Sequence, residues 1–138
     1  MPYIVSYDVG TGGTKAVLID PQDLRILGKA FVSYRVDHPR PDQAEQDPED
    51  WWRAIGTSTQ ALLDSTSINP QDISCLTFCT QMLGIVPMGH DGYPLRPAII
   101  WLDSRAEEQA RRIMRRLLGP NVFAMVAGCA ATGKDVLP

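Results

Sequence analysis

Asp8-Val-Gly-Thr-Gly-Gly-Thr-Lys15 joins two apolar runs near the start of a chain of 138 residues. The runs are Tyr3-Ile-Val-Ser-Tyr7 before it and Ala16-Val-Leu-Ile-Asp20 after it, and both have the residue types of β-strands. Because glycines let backbone N–H groups come close to an anion, a glycine-rich turn between two strands can wrap phosphate groups. The alternative is that the glycines only supply the positive φ angles of a tight hairpin.

The other side chains of this stretch favour phosphate over the plain hairpin. Asp8 stands at the end of the first run, where a carboxylate can hold a hydrated Mg²⁺ ion. Thr11 and Thr14 offer hydroxyl groups, and Lys15 offers a point charge to a phosphate. The residues therefore predict a phosphate-binding hairpin with Asp8 at the metal.

Two better-known glycine motifs do not fit the chain. A dinucleotide-binding fingerprint opens a helix, whereas Lys15 occupies its third glycine position here and a strand follows. Residues 128–135 match a P-loop except that Asp135 replaces the Ser or Thr that would ligate Mg²⁺. Neither motif is predicted to function.

Composition excludes several classes of partner. An apolar content of 44% suits a globular core, and a net charge of −3 without a basic patch argues against nucleic acid. Since no apolar run approaches about 18 residues, we expect no membrane span. The three cysteines, Cys75, Cys79 and Cys129, form no metal or disulfide pattern, which predicts reduced thiols and a cytoplasmic protein.

The order of the predicted elements is three strands, a helix, a strand, a hairpin and a second helix. The first three strands are 3–9, 14–20 and 24–36, and a loop follows at 37–46. The first helix is capped by Asp47, begins at Pro48 and ends near residue 66. After it come a strand at 73–80, hairpin strands at 83–88 and 94–101, and a second helix that Asp103 or Ser104 caps and that ends near residue 118. Three strands, a helix and a strand open a ribonuclease-H-like domain. The predicted fold class is therefore α/β, with a mixed sheet and flanking helices.

Helical spacing predicts which side chains of the two helices face the core. In the first helix they are Trp52, Ile55, Thr59, Leu62 and Leu63. In the second they are Ala106, Ala110, Ile113, Met114, Leu117 and Leu118.

Four segments carry a resemblance to a known family. They are Asp8–Lys15, Glu45-Gln-Asp-Pro-Glu-Asp-Trp-Trp52, Gln81-Met-Leu-Gly84 and Leu95-Arg-Pro-Ala-Ile-Ile-Trp-Leu-Asp-Ser-Arg-Ala106. With Thr132-Gly133 they cover nearly the whole chain. The chain resembles the N-terminal part of an FGGY-family carbohydrate kinase, and within that family it is most similar to the xylulokinases. The first segment is shared with actin, chaperone and hexokinase relatives, whereas the other three narrow the resemblance to sugar kinases.

The resemblance implies two ribonuclease-H-like domains of the actin-like ATPase superfamily, with ATP in the cleft between them and sugar bound mainly by the first. It assigns Asp8 to Mg²⁺, then Thr11, Gly12, Gly13 and Lys15 to the nucleotide phosphates, and Met82, Leu83, Trp101 and Asp103 to the sugar. The implied reaction is ATP-dependent phosphorylation of a hydroxyl on a pentulose, polyol or similar small-molecule sugar. The implied catalytic base is an aspartate beyond Pro138. Residues 1–138 would then be an incomplete N-terminal part of the first domain, inactive alone.

One residue departs from the family pattern, and two other readings stay open. Xylulokinases usually carry histidine where this chain has Leu83, and an apolar side chain cannot replace the hydrogen bonds of an imidazole. The sugar is therefore not fixed by the resemblance. The chain could instead be a non-catalytic nucleotide- or sugar-binding module, or a fragment of another actin-like ATPase, although the latter would not explain Gln81-Met82 or Trp101-Leu102-Asp103. A homo-oligomer is also left open.

Overall fold

A computed structural model describes residues 2–116, which divide into two compact units. The first unit contains residues 2–36 and 47–81, and the second contains residues 37–46 and the described residues from 82 onward. In chain order the elements are β1 Tyr3–Val9, β2 Gly13–Asp20, β3 Arg25–Ser33, β4 Glu45–Gln46, α1 Pro48–Thr66, a 3-10 turn at Pro70–Asp72, β5 Ile73–Thr80, β6 Ala98–Ile99 and α2 Glu107–Arg116.

The first unit is built on a four-stranded mixed sheet in the order β3-β2-β1-β5. β1 and β2 are antiparallel, as are β2 and β3, whereas β5 lies parallel to β1. The parallel pairing needs a crossover between the two strands, and α1 lies in that stretch of chain. The predicted class, a mixed sheet with helices, is confirmed.

The core of the first unit lies between α1 and one face of the sheet. Its fully buried members are Val5, Tyr7, Val9, Ala16, Leu18 and Leu62. All except Leu62, which lies on α1, come from alternate positions of β1 and β2, because successive side chains of a strand point to opposite faces. The Tyr7 hydroxyl lies 2.6 Å from Thr59 Oγ1 on α1, so the polar tip of this buried ring is satisfied within the core.

The ends of α1 follow the chemistry that the sequence predicts. Asp47 caps the helix, with its carboxylate accepting a 3.0 Å hydrogen bond from the Glu49 N–H. Pro48 takes the first helical position, where its missing N–H costs nothing. The helix ends at Ser67, a left-handed residue with φ 54° whose N–H donates to Leu63 O at 2.9 Å. Within residues 2–116, neither helix has the length and apolar character that a membrane crossing requires.

One residue of the predicted core face of α1, Trp52, is wrong, whereas Ile55 and Leu62 pack in the core as predicted. Trp52 is 74% exposed, whereas its neighbour Trp51 packs against the core cluster. Adjacent residues of a helix are about 100° apart, so only one of two consecutive tryptophans can face the sheet. Ala54 and Ser58 are buried on the same face as Trp51, and these small residues gave no apolar signal in the sequence.

The hairpin predicted in the second unit has much less regular strand structure than expected. β4 pairs antiparallel with β6, and the β4 pairing lies in a stretch predicted to be a loop. The predicted strands 83–88 and 94–101 keep only isolated bridges and the two residues of β6. Pro87, Pro94 and Pro97 lack the N–H that a continuous ladder needs, which explains the loss. The turn at residues 89–92 is confirmed, since Gly89 N–H donates to Tyr93 O at 2.8 Å.

Two predicted boundaries also move. β3 ends at Ser33 instead of residue 36, and α2 begins at Glu107, later than a cap at Asp103 or Ser104 predicts. Ala106, just before the second helix, and Ala110 and Met114 within it are buried as predicted, whereas Ile113 is 40% exposed. Leu117, Leu118, Cys129 and the P-loop-like residues 128–135 lie outside the described residues.

We predict that Leu62→Ala destabilises the protein by about 2–5 kcal/mol, because it leaves a cavity in the core cluster. Trp52→Ala removes a larger side chain from the same helix but should stay within about 0.5 kcal/mol of the parent, because that side chain faces solvent. Equilibrium unfolding in urea measures both changes. A Trp52→Ala loss as large as that of Leu62→Ala would contradict the observed helix face.

Candidate functional site

The register of β1 against β2 brings two charged side chains of the predicted site together. Asp8 pairs with Lys15 across the hairpin, and Lys15 Nζ lies 3.3 Å from Asp8 Oδ2. The Asp8 side chain is 48% exposed and that of Lys15 is 66% exposed. An ion pair this exposed contributes little to stability, so it can break at low cost and leave each side chain able to bind an ion from solution.

The two glycines assigned to phosphate have different structural surroundings. A Cβ at Gly12 would have no atom within 4 Å, so the backbone there is open to a ligand. A Cβ at Gly13 would lie 2.5 Å from the Phe31 ring and 2.6 Å from Val32 O. Glycine at position 13 is thus required by the close approach of β3. The turn itself is closed by a 3.0 Å hydrogen bond from Gly10 N–H to Gly13 O.

Tyr34 contacts this hairpin and was not predicted from the sequence. Its hydroxyl donates to Gly10 O at 2.6 Å, and its backbone N–H lies 3.4 Å from Gly12 O. Burial raises the pKa of Tyr34 above its ordinary value, with a smaller opposing effect from the Thr14 hydroxyl and a smaller supporting effect from Asp8. The residue follows the end of β3, and only the sheet brings it to the turn.

The residues around Asp8 fit a hydrated Mg²⁺ ion better than a metal held entirely by protein. Within residues 2–116, no group of three or more His, Cys, Asp or Glu side chains could enclose a metal. Mg²⁺ usually keeps several waters and binds through one or two carboxylates together with substrate phosphates. A single half-exposed carboxylate beside a glycine-rich turn provides that type of donor set.

The predicted sugar dipeptide lies in the second unit with both side chains in contact with solvent. Met82 is 73% exposed and Leu83 is 48% exposed. Leu83 has φ 59°, a left-handed conformation that is unfavourable for a residue with an ordinary side chain. Strained backbone of this kind occurs often at ligand-binding positions.

Trp101 and Asp103 are close in sequence but differ sharply in environment. The Trp101 residue is 39% exposed, whereas Asp103 is 4% exposed. Asp103 Oδ2 accepts hydrogen bonds from the Ala44 N–H at 2.8 Å and from Arg105 Nη2 at 2.7 Å. Burial alone would raise the pKa of Asp103, but the hydrogen bonds from Arg105 and Ala44 outweigh it and lower this pKa. Asp103 therefore fastens its loop to the β4 segment.

Glu45 extends this contact into a network of charges in which Asp103, Arg105 and Glu45 are largely buried and Arg96 is 41% exposed. Its Oε1 accepts hydrogen bonds from Arg105 Nη2 at 2.6 Å and from Arg96. The hydrogen bond to Asp103 is the main cause that raises the pKa of Arg105, with Glu45 adding to the increase and burial opposing it. No role for Glu45, Arg96 or Arg105 was predicted. Their spacing in sequence gives no signal, because the partners are up to 60 residues apart.

Comparison with known proteins gives a consistent result. Residues 3–135 match the model of the FGGY family of carbohydrate kinases, N-terminal domain. A xylulose kinase of Staphylococcus xylosus is 32% identical over 117 residues, which cover 85% of this chain and 24% of that protein. The chain thus spans about a quarter of the length of this relative.

Solved structures agree with the sequence match. A xylulose kinase from Brucella ovis superposes with a TM-score of 0.83 at 28% identity, over 94% of this chain and 26% of that one. The Plasmodium falciparum glycerol kinase with ADP gives a TM-score of 0.71 at 26% identity, over 90% and 25% of the two chains. These neighbours have the actin-like ATPase fold, which confirms the predicted fold class. The chain therefore belongs to the FGGY family of carbohydrate kinases, and residues 3–135 match the N-terminal domain of that family.

Proposed function

We propose that the chain is the N-terminal part of the first domain of an ATP-dependent carbohydrate kinase. The observation that supports this most directly is the placement of Asp8 and Lys15 at a glycine hairpin, in a chain of the FGGY family. A carboxylate for Mg²⁺, an ammonium group for phosphate and an open backbone at Gly12 are the groups that phosphoryl transfer uses. The proposed acceptor is a hydroxyl of a pentulose, polyol or similar sugar.

Each group of the hairpin has a separate task in this proposal. When bound, Mg²⁺ supplies the charge neutralisation that the transferring phosphoryl group requires. Asp8 holds the hydrated ion, and Lys15 leaves its pairing with Asp8 to bind a phosphate oxygen. The N–H groups of Thr11, Gly12 and Gly13 orient the phosphates. The chain spans about a quarter of its relatives' length, so we place the catalytic base and the adenine site in the remainder of the enzyme.

The second unit supplies the sugar contacts in this proposal. Met82, Leu83 and Trp101 carry exposed surface and can pack against the carbon face of a sugar. Asp103 contributes indirectly, because its buried carboxylate oxygens already accept bonds from Ala44 and Arg105. We infer that Asp103 positions the Trp101 loop.

We predict that Asp8→Asn in the full-length kinase lowers kcat by roughly a hundredfold or more, since one electrostatic partner of the metal and phosphates is lost. Asp23→Asn is a matched control, because it removes the same charge from an exposed turn of the same unit. Steady-state assays of ADP release with a panel of ketoses and polyols measure both variants. Near-normal turnover of Asp8→Asn would contradict the proposed role.

Leu83→His should raise activity on D-xylulose relative to other sugars. A site that cannot hydrogen-bond a hydroxyl discriminates by only about 1–3 kcal/mol per group, and an imidazole restores such a bond. Histidine also tolerates the left-handed backbone at position 83. Leu95→His, at a leucine that is 71% exposed, is the control. If the sugar profile of Leu83→His equals that of the parent, Leu83 does not contact the sugar.

The 138-residue chain alone should bind Mg-ATP weakly and transfer no phosphate. Phosphates held from one side stay hydrated, so fixed donors gain little over water. The absence of general-base catalysis alone costs about a hundred- to ten-thousandfold. Calorimetric titration with Mg-ATP and an ADP-release assay with the sugar panel test this expectation. Sugar-dependent ADP release above background would show that the catalytic groups lie within these residues.

A further inference from the structure

We propose that Tyr34 is a positioning residue for the phosphate-binding hairpin at residues 8–15, which it holds by binding two of its backbone carbonyl groups. The inference rests on the proposed function, because it concerns the same hairpin. Tyr34 makes two contacts with the turn, one from its hydroxyl to Gly10 O and one from its backbone N–H to Gly12 O. Tyr34 lies beyond the end of β3 and is not a member of the core cluster.

The direction of these contacts matters because of peptide geometry. Residues 2–116 contain no cis peptide bond, and in a trans peptide the C=O and the following N–H point in opposite directions. A Gly10 carbonyl that faces Tyr34 therefore turns the Thr11 N–H away from Tyr34. The Gly12 carbonyl does the same for the Gly13 N–H. Both carbonyls are thereby directed towards Tyr34, and both N–H groups are directed away from it.

Glycine makes this external support necessary. Gly10 precedes the first of these peptide planes, Gly12 and Gly13 flank the second, and glycine readily adopts both signs of φ. A peptide plane between such residues can rotate and replace an N–H with a carbonyl oxygen. A carbonyl oxygen directed at a phosphate would repel it. A 2.6 Å hydrogen bond to Gly10 O opposes that rotation before any nucleotide arrives.

The chemical state of Tyr34 suits this task. Its hydroxyl must keep its proton in order to donate to a carbonyl. Burial raises the pKa of this phenol above its ordinary value, so the hydroxyl stays protonated through the neutral range. Tyr34 can therefore donate its hydrogen bond to Gly10 O throughout the neutral range.

Tyr34→Phe in the full-length kinase tests the inference, because it removes only the hydroxyl. Tyr7→Phe is the matched control, since Tyr7 also loses a 2.6 Å hydroxyl contact but at Thr59 on α1. Calorimetry gives the Kd for Mg-ATP, steady-state kinetics give KM for ATP and for sugar, and scanning calorimetry gives Tm. We expect Tyr34→Phe to weaken Mg-ATP binding and raise KM for ATP by roughly tenfold, with KM for sugar unchanged. Tyr7→Phe should lower Tm and leave the Kd for Mg-ATP unchanged.

The outcomes separate the two proposals. A parent protein that binds no Mg-ATP overturns the proposed function and this inference with it. A parent that binds Mg-ATP, with Tyr34→Phe binding it equally well, overturns the inference alone. Equal loss of nucleotide affinity in Tyr34→Phe and Tyr7→Phe also overturns it, because both effects would then follow from lost stability.

Discussion

The antiparallel pairing of β1 with β2 is the constraint on which both the core and the candidate site depend. β1 lies inside the sheet, bonded to β2 on one edge and to β5 on the other. A slip of one residue would exchange the two faces of the strand and carry Val5 and Tyr7 out of the core. The same slip would separate Asp8 from Lys15. Burial of apolar side chains therefore also fixes the spacing of the charged pair.

The hairpin combines this fixed register with a turn whose glycines place few restrictions on the backbone conformation. Gly12 stands in open space, whereas Gly13 is pressed against Phe31 and Val32. A rigid strand pair thus ends in a backbone that can approach a ligand. Tyr34 restricts the turn through its two carbonyl contacts, and in the proposed site this gives the N–H groups a defined direction.

The described part of the second unit has only the short strands β4 and β6 and the helix α2. Ion pairs hold its loops in place. Glu45, Asp103 and Arg105 are largely buried and satisfy one another, and Asp103 also accepts the Ala44 N–H. Removing one member of such a group leaves an uncompensated buried charge, which typically costs about 3–5 kcal/mol. The network therefore holds the Trp101–Arg105 loop against the β4 segment, in a region where proline interrupts the strand ladder.

Features that depend on neighbouring residues could be predicted from the sequence. The cap of α1 at Asp47 and the strands around the hairpin follow from short-range preferences and from a two-residue period. The four segments that resemble the FGGY family could also be identified from the sequence, and the family match confirms that resemblance. Nothing in that local pattern separates Trp51 from Trp52, because both are large, apolar and adjacent.

Packing and distant partners settled the remaining features. Trp51 faces the core because the sheet accepts only one side of α1. Ala44 and Asp103 are 59 residues apart, and Gly10 and Tyr34 are 24 residues apart, so neither contact has a signature in sequence spacing. The chain alone indicated which residues of the hairpin are candidates for binding phosphate and metal, since those residues are contiguous. The contacts that hold them in place depend on the tertiary structure. A carbonyl group or a buried charge accepts hydrogen bonds from whichever donor the assembled sheet and loops bring close to it.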